Sequence, residues 1–300
     1  MLRRIPTGVV ALGVVSLFMD MSSEMIHALL PIYLTGTLGA SALVVGLIEG
    51  IGTAVAQVTK LFSGTLSDLS GKRKPLAVLG YGLSAVTKPI FALAGSPGWV
   101  LAARVADRVG KGIRGTPRDA MVADMVPPEA RSAAYGLRQT LDSFGAFAGP
   151  LIAIALMGVF ALSIPQVFAW AIVPALVSVL VLVLFVREPV ALGSAKAARI
   201  DRAALATLGP GVWAAIGLGS VMTLARISDA FLVLRAADAG LSVLLIPLVL
   251  VLLNGVDSLA SWPVGILADR IGKRGLLLAG FAVLVLANLV LGFWGTLPGV

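Results

Sequence analysis

The chain has 300 residues, of which 58% are hydrophobic and only 13% charged, with a mean hydropathy of +1.00. A soluble domain is nearer half apolar and a quarter charged, so apolar surface in this excess must face lipid. The net charge of +8 lies in short clusters between long apolar runs, which argues against nucleic acid, and the lack of cysteine and the single histidine exclude disulfides, thiolate sites and multi-histidine metal centres.

Nine runs long enough to cross a bilayer as helices occur at 8–34, 42–66, 76–94, 98–124, 132–160, 166–186, 210–234, 241–268 and 276–295. The first is too long for a signal-peptide core and lacks a small-residue cleavage site, so it reads as an uncleaved span. Orientation follows from Lys and Arg. Thirteen lie on one side, at 3–4, 72–74, 131, 187–202 and 270–274, whereas the opposite side carries only Arg235. The amino terminus is therefore expected in the cytoplasm, and the carboxyl terminus, after nine spans, outside. Residues 98–124 carry eight charges and resemble a loop, but parity requires a span. The basic loops at 72–74 and 270–274 share a side only if an even number of spans separates them, which is six with this segment and five without it.

The polar stretch 187–206 is expected to be a central cytoplasmic loop between a six-helix bundle (1–186) and a partial second bundle of three helices (207–300). Each half repeats one phrase. Gly64-Thr-Leu-Ser-Asp68-Leu-Ser-Gly71-Lys72-Arg73 is echoed by Gly265-Ile-Leu-Ala-Asp269-Arg270-Ile-Gly272-Lys273-Arg274, with the two aspartates 201 residues apart. Two full copies of that repeat would need about 400 residues, so the second copy stops about halfway.

These phrases resemble motif A of the major facilitator superfamily, placed between the second and third spans and again between the eighth and ninth. Arg108-x-x-Lys111-Gly112 and Asp124-x-x-Pro127-x-x-x-Arg131 resemble the family's fourth span and following loop. The spacing of Gly136, Gly145 and Gly149-Pro150 is similar to motif C, which marks antiporters. The resemblance implies an all-α polytopic membrane protein of two bundles, with about nine of twelve helices present. It also implies that every third helix is peripheral. The charge pattern picks out the same helices, since spans six and nine have no charge and span three has only Lys88. Motif A implies a conformational gate of Gly64, Asp68, Gly71, Lys72, Arg73, Asp124, Arg131, Asp269 and Arg270, in which Asp68, Arg73 and Asp124 form one charge network.

Ionised groups in a membrane face protein or water, and at 100° per residue each charged set falls on one helical face. Asp20, Glu24 and His27 share a face of span one. Glu49, Thr53, Gln57 and Lys60 form a stripe on span two. Arg104, Asp107, Arg108, Lys111, Arg114, Arg118 and Asp119 share one side of span four. Arg138 and Asp142 align with Gly145 and Gly149 on span five, and Asn254 and Asp257 align on span eight. Converging stripes of this kind describe a wet central cavity. Each also has a structural reading: a hydrogen-bonded cluster for the span-one acids, internal ion pairing such as Asp107 with Lys111 for span four, and close helix packing for the glycines.

No nucleophile elbow, phosphate loop, zinc motif or dinucleotide fingerprint is present, and Gly110-Lys111-Gly112 lacks the strand a phosphate loop needs. The expectation is a secondary transporter, not an enzyme, working by alternating access and needing no cofactor beyond a proton gradient. Glu24 is the expected proton carrier, with Asp20 or Asp142 as partner. His27, Glu49, Arg104, Arg108, Lys111, Arg114, Arg118, Arg138, Asn254 and Asp257 are expected to line the substrate cavity. Efflux of a small organic molecule is favoured, with transport of an anionic metabolite as the alternative. A membrane-embedded enzyme and a non-transporting remnant are the rivals of other classes. The expected partners are a small-molecule substrate and the bilayer of the inner membrane, with no nucleic acid, and the expected state is a monomer.

Overall fold

The computed structural model describes residues 5–188, 207, 209–225 and 227–293, with the side chains of 261–274 left aside. Among these the chain is helical. In order come α1 (Thr7–His27), α2 (Ala42–Ser70), α3 (Arg73–Leu93), α4 (Pro97–Asp124), α5 (Arg131–Gly158), α6 (Ile164–Trp170), α7 (Ile172–Phe185), α8 (Pro210–Ala225), α9 (Asp229–Asp238) and α10 (Leu248–Phe293). The expected central loop falls largely on 189–206, outside the described residues.

Six described helical segments are long and apolar enough to cross a membrane: Thr7–Thr37, Ala42–Ser70, Arg73–Leu93, Pro128–Gly158, Ile164–Phe185 and Gly275–Phe293. α4 fails that test through its charges, yet it is an unbroken helix of 28 residues, about 42 Å long and ample for a bilayer. Ser96 starts it by accepting from Trp99 N, and Pro97 follows at the first turn, where a missing N–H costs nothing. The sixth span is interrupted between α6 and α7. Pro174 has no N–H to offer the Trp170 carbonyl, and the Ser22 hydroxyl donates to the neighbouring Ala171 carbonyl at 2.6 Å.

Two expected spans differ in the structure. Span seven is not continuous over 210–234. α8 ends at Ala225, and Ser228 caps a new helix by accepting from Ala230 N, with Asp229 in its first turn. Spans eight and nine are joined by unbroken helical backbone, α10, where a loop at 270–274 was expected. That helix cannot be straight. Leu248 and Leu291 would stand about 65 Å apart on a straight axis, yet Ala236 lines a pocket with Leu248 while the adjacent Arg235 donates to the Leu291 carbonyl. The axis therefore bends between them.

α1 packs on α5 and α7, α4 packs on α2 and α3, and α3 closes against α6 and α7. Glycine permits the closest of these approaches. A Cβ on Gly149 would lie 2.5 Å from the Met21 carbonyl oxygen, and one on Gly110 would lie 2.7 Å from that of Gly80. Two apolar clusters form, one around Met25, Tyr33, Phe91 and Phe168, the other around Leu12, Met19, Tyr81 and Leu182. Along α1 and α4 the charged layer lies between them.

Candidate functional site

α4 organises the charges, and its two flanks do different things. Towards α3, the Lys88 ammonium reaches Asp107 at 3.2 Å and Ser23 Oγ at 3.1 Å, with both charged side chains almost fully buried. On the same side Arg114 donates to Ser84 Oγ and lies over the Tyr81 ring, 4.8 Å from its centroid. These groups join α1, α3 and α4.

Towards α1 and α2, Arg104 donates to Glu49 through one terminal nitrogen and to His27 Nε2 through the other, while His27 Nδ1 stands 3.2 Å from Glu24 Oε1. A guanidinium has only donors, so the Nε2 it meets must be an acceptor. His27 is therefore neutral, carries its proton on Nδ1 and donates it to Glu24. The result is one hydrogen-bonded row, Glu24–His27–Arg104–Glu49, drawn from three helices.

The row borders a cavity of two compartments. One, of about 290 Å³, is lined by Asp20, Gln57, Lys60, Arg118 and Asp142 among others. The second, of about 230 Å³, is lined by Glu24, His27, Glu49 and Arg104, and by Ser228 and Asp229 at the start of α9. Arg108 and Lys111, near the middle of α4, line both. In the first compartment Asp142 stands 3.9 Å from Arg118 and 3.6 Å from Arg138, too far for hydrogen bonds, and its Oδ1 is buried without a donor. Asp20 of α1 lines the same compartment. Arg118 is also tied to Asp119 at 3.0 Å and Ser16 at 3.2 Å, and Arg138 to Gln139 at 2.6 Å.

The structure thus places Asp20, Glu24, His27, Glu49, Arg104, Arg108, Lys111, Arg114, Arg118 and Asp142 around one cavity, with Arg138 behind Asp142. Asp107 does not pair with Lys111 as the internal-pairing reading held, because Lys88 takes it. Asn254 and Asp257 do not join the cavity. Asn254 donates to the Ala146 carbonyl of α5 at 3.2 Å, and Asp257 borders an apolar pocket between α9 and α10, because the polar stripe of that helix turns to its neighbours there.

At the far end of α2, Gly71 closes the helix at φ +63°, a conformation glycine adopts freely, with its N–H on Ser67 O at 3.1 Å. Gly64 packs against Thr116 of α4. Arg73 and Asp124 form an ion pair, as motif A implies. Asp68 stands outside that network. It is exposed and makes no ion pair among the described residues. Lys72 and Arg131 are exposed, and the side chains of Asp269 and Arg270 lie outside the described residues.

Four participants were not foreseen. Lys88 lies on a span expected to be peripheral, and nothing in the sequence singles out Ser23. Asp229 was hidden in a span read as continuous, although Ser228-Asp229 is a helix-start signal. Glu188 caps α3 through both oxygens, accepting from Arg73 N at 2.7 Å and Lys74 N at 2.9 Å; no local pattern in the sequence pairs residues this far apart.

The chain is 30% identical over 295 residues to an uncharacterized MFS-type transporter of Methanocaldococcus jannaschii, covering 96% of this chain and 72% of that protein. It is 34% identical over 128 residues to the multidrug resistance protein MdtH of Cronobacter sakazakii, covering 42% of this chain and 31% of that one. Among solved structures it is similar to a bacterial homolog of the human lysosomal transporter Spinster in an inward-facing, occupied conformation (TM-score 0.72, 20% identity, 89% of this chain and 62% of that one). It is also similar to a POT family transporter (TM-score 0.68, 13% identity, 97% of this chain and 78% of that one). With residues 12–300 matching the Major Facilitator Superfamily, the chain belongs to that family of membrane transporters.

Proposed function

We propose that the chain works as a proton-coupled secondary transporter of a small organic solute by alternating access, in the inner membrane and with its amino terminus in the cytoplasm. The observation that carries this reading is the set of acids on one cavity. Asp20 and Asp142 line one compartment, and Glu24 ends a row of hydrogen bonds that starts at Glu49 and borders the other. A carboxyl removed from bulk water but open to a cavity can take a proton on one side of the membrane and release it on the other. Glu24 is the carrier, and Asp20 with Asp142 is its partner site. The orientation rests on the one-sided distribution of Lys and Arg. Outward transport is supported by the α5 glycines that resemble motif C and by the partial similarity to MdtH.

The test uses proteoliposomes under an imposed pH gradient, with cationic, neutral and anionic solutes. Glu24→Gln keeps the size and the acceptor for His27 but cannot cycle a proton. Gradient-driven solute movement should fall to the ungraded background while the protein still inserts and folds. Wild-type coupled movement in that variant would remove Glu24 from the mechanism.

A further inference from the structure

A cation inside a membrane is costly unless something answers it. Most cations near the cavity are answered by the protein: Lys88 by Asp107, Arg104 by Glu49 and His27, Arg114 by Ser84 and the Tyr81 ring, Arg118 by Asp119 and Ser16. Arg108 and Lys111 differ. Among the described residues neither forms an ion pair or a hydrogen bond, and Arg108 Nε is buried without an acceptor. They are three residues apart on one face of α4 and are shared by both compartments. The first compartment carries five basic side chains and two acidic ones, so its surplus is positive.

We propose that Arg108 and Lys111 form an oxyanion-binding subsite at the junction of the compartments, and that the transported solute carries a carboxylate or phosphate group. This rests on the transporter reading above and names its substrate class. A guanidinium offers two parallel donors that match a carboxylate or phosphate edge, and Lys111 adds a point charge about one turn away. A cationic solute would instead meet two fixed positive charges at the centre of its path.

The groups around Lys111 set a pH dependence. Asp20 and Glu24 of α1 each line a compartment together with it, with Arg108 and Arg114 on its own helix. Lys60 of α2 and Asp142 of α5 line the same compartment. While Asp20 and Glu24 are ionised they compete with a solute anion for Lys111; protonating them removes that competition. Proton and anion therefore favour each other's binding, by the same factor in both directions, so an anionic solute moves with the proton and not against it as the outward reading above has it.

The full chain, purified in detergent, is titrated with succinate, inorganic phosphate, tetraphenylphosphonium and glucose, reading thermal stabilisation at two pH values. The same four solutes are then followed into proteoliposomes. Saturable stabilisation by succinate or phosphate is expected, tighter at the lower pH. Arg108→Lys, which keeps the charge but loses the fork, should weaken it at least about tenfold. Lys111→Gln, at a side chain open to the cavity, should weaken it similarly and abolish the pH dependence. The subsite is overturned if neither anion binds saturably, if only the phosphonium cation does, or if both variants bind like wild type. Anion binding without solute movement would keep the subsite and end the transporter reading. Movement of the cation without anion binding would do the reverse.

Discussion

The two flanks of α4 carry the same kinds of residue and yet have opposite properties. Towards α3, Lys88 and Asp107 are dry, mutually satisfied and further held by Ser23. Towards α1 and α2, Arg104 is buried but its partners Glu49 and His27 border water-sized space, and Arg108 and Lys111 have no partner among the described residues. A charge in a membrane helix therefore does not by itself mark a site. The informative quantity is what remains after the protein's own pairings are subtracted.

The largest expected effect falls on the dry flank. Lys88→Ala leaves the Asp107 carboxylate buried and alone, which should cost about 3–5 kcal/mol of stability. The double variant Lys88→Met with Asp107→Leu should recover most of it, because no isolated charge is left. By contrast Glu49→Gln on the wet flank keeps an acceptor for Arg104 and should cost no more than about 1 kcal/mol. Thermal or denaturant unfolding in detergent orders the three, and equal losses for Lys88→Ala and Glu49→Gln would erase the distinction between the flanks.

A smaller effect is expected where α5 meets α1. The Gly149→Ala methyl would press on the Met21 carbonyl, so the helices must part, at a cost of about 1–3 kcal/mol. If α5 glycines served the solute and not the packing, transport would fall in that variant with no change in unfolding temperature.

At the end of α3 the Glu188 carboxylate caps two backbone N–H groups in an exposed setting. Glu188→Gln should remove about 0.5 kcal/mol of helix-end stabilisation, less at high salt. An unfolding series across ionic strength would show the difference fading as salt rises; a salt-independent loss would mean the charge plays no part. The smallest effect belongs to Asp68→Asn. With its carboxylate exposed and outside the Arg73–Asp124 pair, stability should stay within about 0.5 kcal/mol of wild type by the same assay. A larger loss would mean that Asp68 belongs to the network after all.

Much of this was legible in the sequence, for reasons that also explain the rest. Span count, helical faces and the parity of the basic loops all follow from periodicity and from the cost of charge in lipid. Those two facts identified α4 as a span and placed Asp20, Glu24, Arg104, Arg108 and Lys111 on cavity-facing stripes. Pairing was not legible, because it depends on distances between helices. Nothing local assigns Asp107 to Lys88 instead of Lys111, or Glu188 to the start of α3. Asn254 has the same chemistry whether it faces a cavity or the Ala146 carbonyl. The break before α9 was signalled by Ser228-Asp229 but was masked by the apolar run around it.

The row from Glu49 to Glu24 is the part of the molecule on which the proposed proton coupling rests, and the single histidine makes it directly observable. Nitrogen-15 NMR of the full chain, labelled only at histidine, reads both ring nitrogens of His27 in one experiment. The hydrogen-bonded row predicts, at neutral pH, a proton on Nδ1 and a bare Nε2, with the spectrum altered by Glu24→Gln and by Arg104→Gln. An imidazolium protonated on both nitrogens, or a tautomer protonated on Nε2, would mean that Arg104 does not donate to His27 and that the row does not exist.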